Sequence, residues 1–115
     1  PKDMTPGCTT QACDFRDQQK KFKNTVILGV SIDSQERHQR FIEKYDLPFT
    51  LLADTEKKLV QKYGVWQEKK LYGKTFMGIV RTTFLIDKKG TIRKIFPKVK
   101  VKIHIEEVLA ELKEI

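Results

Sequence analysis

Cys8 and Cys13 are the residues of this chain best placed to do chemistry. A thiol becomes a nucleophile when its thiolate is stabilised, and the first turn of an α-helix does this with unpaired N–H groups and the positive end of its dipole. Cys8 follows Thr5-Pro6-Gly7. Pro6 and Gly7 let the backbone turn tightly and approach a small ligand closely. Thr5 offers a hydroxyl one turn back that can bond a thiolate or a bound oxygen. The alternative is that Cys8 is a small buried apolar residue. The start of a helix after Thr-Pro-Gly is a poor place for core packing, so reactivity is the better reading.

Cys13 lies five residues further on. In an intact helix five residues rise ~7.5 Å and rotate ~140° net, which puts the two Cα atoms roughly 8 to 9 Å apart. A disulfide needs Cα atoms within ~7 Å. Two readings follow: Cys13 is an inert core thiol, or the helix opens and the two sulfurs form a redox couple. Geometry alone leaves both open.

Two cysteines in 115 residues is the sparse use of a reducing compartment, and the spacing is not the C-x-x-C of zinc knuckles or thioredoxin-type redox sites. His38 and His104 are expected on helical surface, and four scattered ligand-type residues do not suggest a metal site. The net charge of +8, from 23 basic and 15 acidic residues, draws anions in general. Lys88 to Lys102 holds Lys88, Lys89, Arg93, Lys94, Lys98, Lys100 and Lys102 with no acid among them. A solvated strand pair accounts for this better than a nucleic-acid patch, because only Phe96 could serve as a stacking platform there. No apolar run approaches the ~20 residues that span a bilayer and no hydrophobic leader is present, which points to a cytoplasmic protein.

The elements that must position the cysteines read as follows. Thr5-Pro6-Gly7 feeds a helix from about Cys8 to Lys23. Val26 to Ile32 is a nearly continuous apolar run, expected as a strand buried on both faces of a parallel sheet. Ser34 caps a helix through Tyr45 with Phe41, Ile42 and Tyr45 on one face. Pro48 to Leu52 suggests a short strand, and Glu56 to Tyr63 a helix ended by Gly64. Residues 65–78 read as loop. Thr82 to Asp87 and Thr91 to Phe96 form a hairpin through Lys88-Lys89-Gly90, and Ile105, Val108, Leu109 and Leu112 mark a last amphipathic helix. Early alternation and a late hairpin give an α/β class with a mixed sheet.

Pro1-Lys2-Asp3-Met4-Thr5-Pro6-Gly7-Cys8 resembles the active-site motif of the peroxiredoxins, and Thr9-Thr10-Gln11-Ala12-Cys13-Asp14-Phe15-Arg16-Asp17 resembles that of the peroxiredoxin Q group, also called bacterioferritin comigratory protein. Val26 to Ser31, Phe49 to Asp54, Tyr63 to Trp66 and Arg81 to Asp87 follow in the same group's order, so the likeness spans the chain. It implies one thioredoxin-like domain over residues 1–115, a mixed central sheet flanked by helices. It also implies a thiol-dependent peroxidase. Cys8 would be the peroxidatic thiolate, Pro1 its shield, Thr5 a donor to the peroxide, Arg81 the catalytic arginine and Cys13 the resolving thiol. Hydrogen peroxide and organic hydroperoxides are then the substrates and thioredoxin or a similar dithiol the reductant, with no metal, haem or flavin. A monomer without specific nucleic-acid binding is expected. The family's domain begins with a hairpin and a central strand that precede this motif, so the chain is expected to be an N-terminally truncated piece, with the Val26 and Thr82 strands flanking an empty slot. The rivals are a thiol–disulfide oxidoreductase on the same fold, disfavoured by the absence of C-x-x-C, and a basic nucleic-acid module.

Overall fold

The computed structural model of the chain describes residues 1–113. Its elements are α1 (Pro6–Asp17), β1 (Leu28–Ser31), α2 (Gln35–Tyr45), β2 (Thr50–Ala53), α3 (Lys58–Lys62), β3 (Trp66–Leu71), β4 (Lys74–Ile79), β5 (Thr83–Ile86), β6 (Ile92–Phe96) and α4 (Val101–Leu112). Pro6 opens α1, where its missing N–H costs nothing. The helix stops at Asp17 rather than Lys23, because the chain tightens into a 3₁₀ turn at Gln19–Lys21 that swings Phe22 into the core against Phe15. Ser34 caps α2 by accepting the Arg37 N–H at 3.2 Å, and a left-handed Asp46 ends it. The buried Asp54 carboxylate accepts the Val60 N–H at 2.8 Å and so caps the short α3.

Residues 65–78, expected as loop, instead form most of a hairpin in which Trp66 pairs with Ile79 and Leu71 with Lys74. The turn residues Tyr72 and Gly73 both have positive φ, 51° and 75°, as a two-residue primed turn requires. Apolar alternation is missing because neither face of most of this hairpin packs on the core; Tyr72 is 95% exposed at its tip.

β1 and β2 pair in parallel, Leu28 opposite Thr50 and Ser31 opposite Ala53, while β5 and β6 pair antiparallel. Both parallel and antiparallel pairs are present, but among the described residues no hydrogen-bonded strand joins β1 to β5. That corrects the expectation for Val26 to Ile32. Val26, Leu28 and Val30 are exposed, since β1 has a neighbour on one edge only and nothing covers these side chains. The core lies elsewhere, where Phe22, Leu85, Phe96 and Val108 meet, with Phe15, Ile105, Leu109 and Leu112 around them. It welds α1 and α4 onto the β5–β6 hairpin, and each fully buried side chain of this kind contributes roughly 1.5–3 kcal/mol.

The two histidines are not surface residues. His38 is 3% and His104 1% exposed. His104 lies edge-on to Phe96 and Phe15, its Nε2 bonded to Thr83 Oγ1 at 2.7 Å and its Nδ1 buried without a partner. Burial therefore holds its pKa below the usual 6.5. A histidine kept neutral by the fold contributes its full stability above its unfolded pKa and loses it as pH falls from there through the folded value. Thermal unfolding followed from pH 7.5 down to pH 5 is expected to show the melting temperature falling below about pH 6.5, and His104→Leu should fall less over the same range.

Candidate active site

Cys8 sits in the first turn of α1. The first intrahelical bond is from the Thr9 N–H to the Thr5 carbonyl at 2.9 Å, so the N–H groups of Gly7 and Cys8 have no partner within the helix. Three further groups converge on the sulfur. The Arg81 guanidinium donates through Nη2 to Cys8 Sγ at 3.3 Å, and the Lys2 backbone N–H points to it at 3.5 Å. Thr5 contributes its hydroxyl, which also donates to the Lys2 carbonyl at 2.7 Å. A hydroxyl has one proton, so the Thr5 donor is free for the sulfur or a bound oxygen only when it rotates away from that carbonyl.

Burial alone would raise the Cys8 thiol. The positive charge at the Pro1 nitrogen, the bonds from Thr5 and Lys2, and the Arg81 cation outweigh it and bring the pKa from 9.0 to about 7. In a chain with residues before Pro1 that nitrogen is an uncharged amide, its share of the lowering is absent, and Thr5, Lys2 and Arg81 are the groups that oppose burial. At pH 7 a thiol of pKa 7 is about half thiolate, against roughly 1% at 9.0.

Arg81 reaches this place from the far end of the sequence. It lies in the link between β4 and β5, fixed by the Val99 N–H on its carbonyl at 2.9 Å. Its Nη1 donates to Gln11 Oε1 at 2.6 Å, one turn along α1 from Cys8. The planar fork thus spans the helix, one arm on the amide and one on the sulfur. Gln11 falls in the Thr9 to Asp17 stretch that carries the resemblance, but local chemistry gives it no role, since its partner is 70 residues away. Gly7 belongs to it for a steric reason: a Cβ there would stand 2.9 Å from Arg81 Nη2.

Cys13 is a free, half-buried thiol on the same unbroken helix. The structure therefore brings Cys8, Thr5 and Arg81 together, leaves Cys13 one and a half turns away and Pro1 partly exposed beside the site. Asp3, Asp33 and His38 place ligand atoms within 4.8 Å of one another. Those atoms are saturated by each other: Asp3 bonds His38 Nδ1, and Asp33 Oδ2 accepts from the Asp3 N–H and the Ser31 hydroxyl at 2.7 and 2.8 Å. Among the described residues no helix is long and apolar enough to cross a membrane.

The sequence and the fold match known proteins closely. The pattern of the AhpC/TSA family matches residues 1–95. Peroxiredoxin Bcp of Bacillus subtilis is 58% identical over 99% of this chain and 74% of its own length, and that of Escherichia coli K12 is 47% identical over the same shares. The solved structure of the bacterioferritin comigratory protein of Xanthomonas campestris superposes with a TM-score of 0.92 at 41% identity, covering 99% of this chain and 74% of that one. The chain belongs to the AhpC/TSA family, and within it to the peroxiredoxins of the Q or bacterioferritin comigratory type, which are thiol-dependent peroxidases. Its thioredoxin-like fold is that of the same group.

The contact between Gly7 and Arg81 is directly testable. Gly7→Ala pushes only the flexible end of the arginine, so the stability change should stay within about 1 kcal/mol. The thiolate absorbance of Cys8, titrated with pH, should move its midpoint upward as the guanidinium is displaced.

Proposed function

We propose that Cys8 is the peroxidatic cysteine of this peroxidase and Cys13 its resolving partner. The observation that carries the reading is the Arg81–Cys8 bond, a fixed cation at 3.3 Å from a sulfur that the helix start already favours as thiolate. The Cys8 thiolate attacks one peroxide oxygen. The S–O bond forms as the O–O bond breaks, and the leaving oxygen takes a proton and departs as water or an alcohol. The sulfenic acid so formed is attacked by the Cys13 sulfur, an S–S bond replaces S–O, and a second water leaves. An external dithiol returns two electrons by exchange, and thioredoxin or a protein like it is the reductant we assign.

Arg81 acts at two points. Its charge lowers the proton affinity of the sulfur, and its second N–H can follow charge onto the departing oxygen. Thr5, with a rotatable proton, donates to the bound peroxide, and Pro1 covers the sulfur. The Xanthomonas relative has been studied for alkyl peroxide reduction, which supports organic hydroperoxides beside hydrogen peroxide as substrates here. The basic stretch is partly neutralised, Arg93 by Asp87 at 3.5 Å and Lys94 by Glu111 at 4.0 Å, which supports a solvated face rather than a nucleic-acid surface. Free thiols fit the reducing cytoplasm.

Stopped-flow mixing with hydrogen peroxide separates the roles. Cys8→Ser should consume no peroxide above the rate of buffer. Cys13→Ser should react once and then stall under reductant, its Cys8 open to over-oxidation. Arg81→Lys, which keeps charge but loses the fork, should slow the first step about 10²-fold. Equal consumption by Cys8→Ser and the parent chain would end the assignment.

A further inference from the structure

Asp3 is buried five residues before Cys8, and all three of its polar groups are committed to one distant patch. Its N–H donates to Asp33 Oδ2 at 2.7 Å, its carbonyl accepts from Arg37 Nη2 at 2.8 Å, and its carboxyl bonds His38 Nδ1. The patch is the end of β1 and the first turn of α2. The other nitrogen of His38 faces the Leu52 carbonyl at 3.1 Å, with the Ser31 hydroxyl at 3.4 Å. A carbonyl can only accept, so Nε2 carries a hydrogen. One further proton must then lie between Asp3 and His38, on the ring or on the carboxyl, or the contact would be two acceptors face to face. Burial raises the Asp3 carboxyl above its usual range, and the bond to the histidine opposes that rise only in part.

What this anchored residue holds is the turn against the sulfur. Lys2 on one side of Asp3 aims its N–H at Cys8 and lends its carbonyl to Thr5. Met4 on the other side is forced to φ 65°, a conformation an unanchored Met would leave. We propose that the buried Asp3–His38 pair, backed by Asp33 and Arg37, is the positioning device of the reactive sulfur, holding the Lys2–Thr5 turn so that the Lys2 N–H faces Cys8 and the Thr5 hydroxyl stands beside it. His38 touches no reacting atom; it acts through Asp3. The inference rests on Cys8 being the peroxidatic residue.

Two near-isosteric variants separate positioning from space-filling. In His38→Asn the side-chain amide nitrogen takes the place of Nδ1 and still reaches Asp3. In His38→Gln it takes the place of Nε2, keeps Leu52 and abandons Asp3. Each is made in the full chain carrying Cys13→Ser, so that Cys8 is the one thiol titrated. His38→Gln is expected to raise the thiolate midpoint by about one unit and to slow the reaction with hydrogen peroxide at pH 6 roughly ten-fold, while His38→Asn stays near the parent in both. Midpoints and rates equal to the parent in both variants, or shifted equally in both, overturn the proposal. Should His38→Gln not fold, Arg37→Gln decides, because that arginine is partly exposed and the change removes its bond to the Asp3 carbonyl and its pairing with Asp33 at 3.2 Å while leaving the Asp3–His38 bond in place. A smaller upward shift supports the device and an unchanged midpoint refutes it. A parent chain that reacts with peroxide no faster than free cysteine would instead sink the assignment of Cys8 itself, so the two failures are told apart.

Discussion

One helix here is asked for two incompatible things. With α1 intact, its start stabilises the Cys8 thiolate and its first two turns seat Arg81 on both Gln11 and the sulfur. The same intact helix holds Cys13 roughly 8 to 9 Å away in Cα terms, beyond what a disulfide spans. The geometry that favours attack on peroxide therefore forbids resolution, and the geometry that permits resolution dismantles the activating site. Under the roles proposed for Cys8 and Cys13, alternation between the two follows from helix dimensions.

The rest of the molecule is arranged around that helix. Arg16 donates to the Tyr45 carbonyl at 2.5 Å and ties the far half of α1 to the end of α2, while Phe15 packs on Phe22 and His104. The start of α1 has different supports, namely the Asp3 turn and the fork of Arg81. Only the second half is held by core packing. The first turn is held by hydrogen bonds to groups outside the helix, and a first turn has few internal bonds of its own, so it is the part best able to open.

Much of this was legible in the sequence. The Thr5-Pro6-Gly7-Cys8 run marks a reactive thiol at a helix start on local chemistry alone, and the strand at β1, the capped α2 and the β5–β6 hairpin follow from apolar pattern and turn residues. What escaped has two physical causes, projection into solvent and dependence on partners distant in the chain. The Trp66–Ile79 hairpin has no apolar periodicity because it projects into solvent, and only its Tyr72-Gly73 turn could have signalled it. His38 lies on a polar-looking helix and His104 in the first turns of an amphipathic one, and nothing local says that Asp3 and Thr83 will meet them. Arg81 reads as a surface charge until the fold brings it across 73 residues to the sulfur, so family resemblance alone singled it out. The exposure of Val26, Leu28 and Val30 likewise depends on which strands stand beside β1, not on the run itself.

The claim that α1 must open to let its two sulfurs meet is tested most directly by amide hydrogen exchange on the reduced and the peroxide-oxidised chain, compared residue by residue. Protection across Cys8 to Asp17 should be present in the reduced form and lost on oxidation, with α2 and α4 little changed. Protection that is the same in both forms, in a chain whose thiols are both consumed, would contradict the account: the disulfides would then join two molecules without α1 opening.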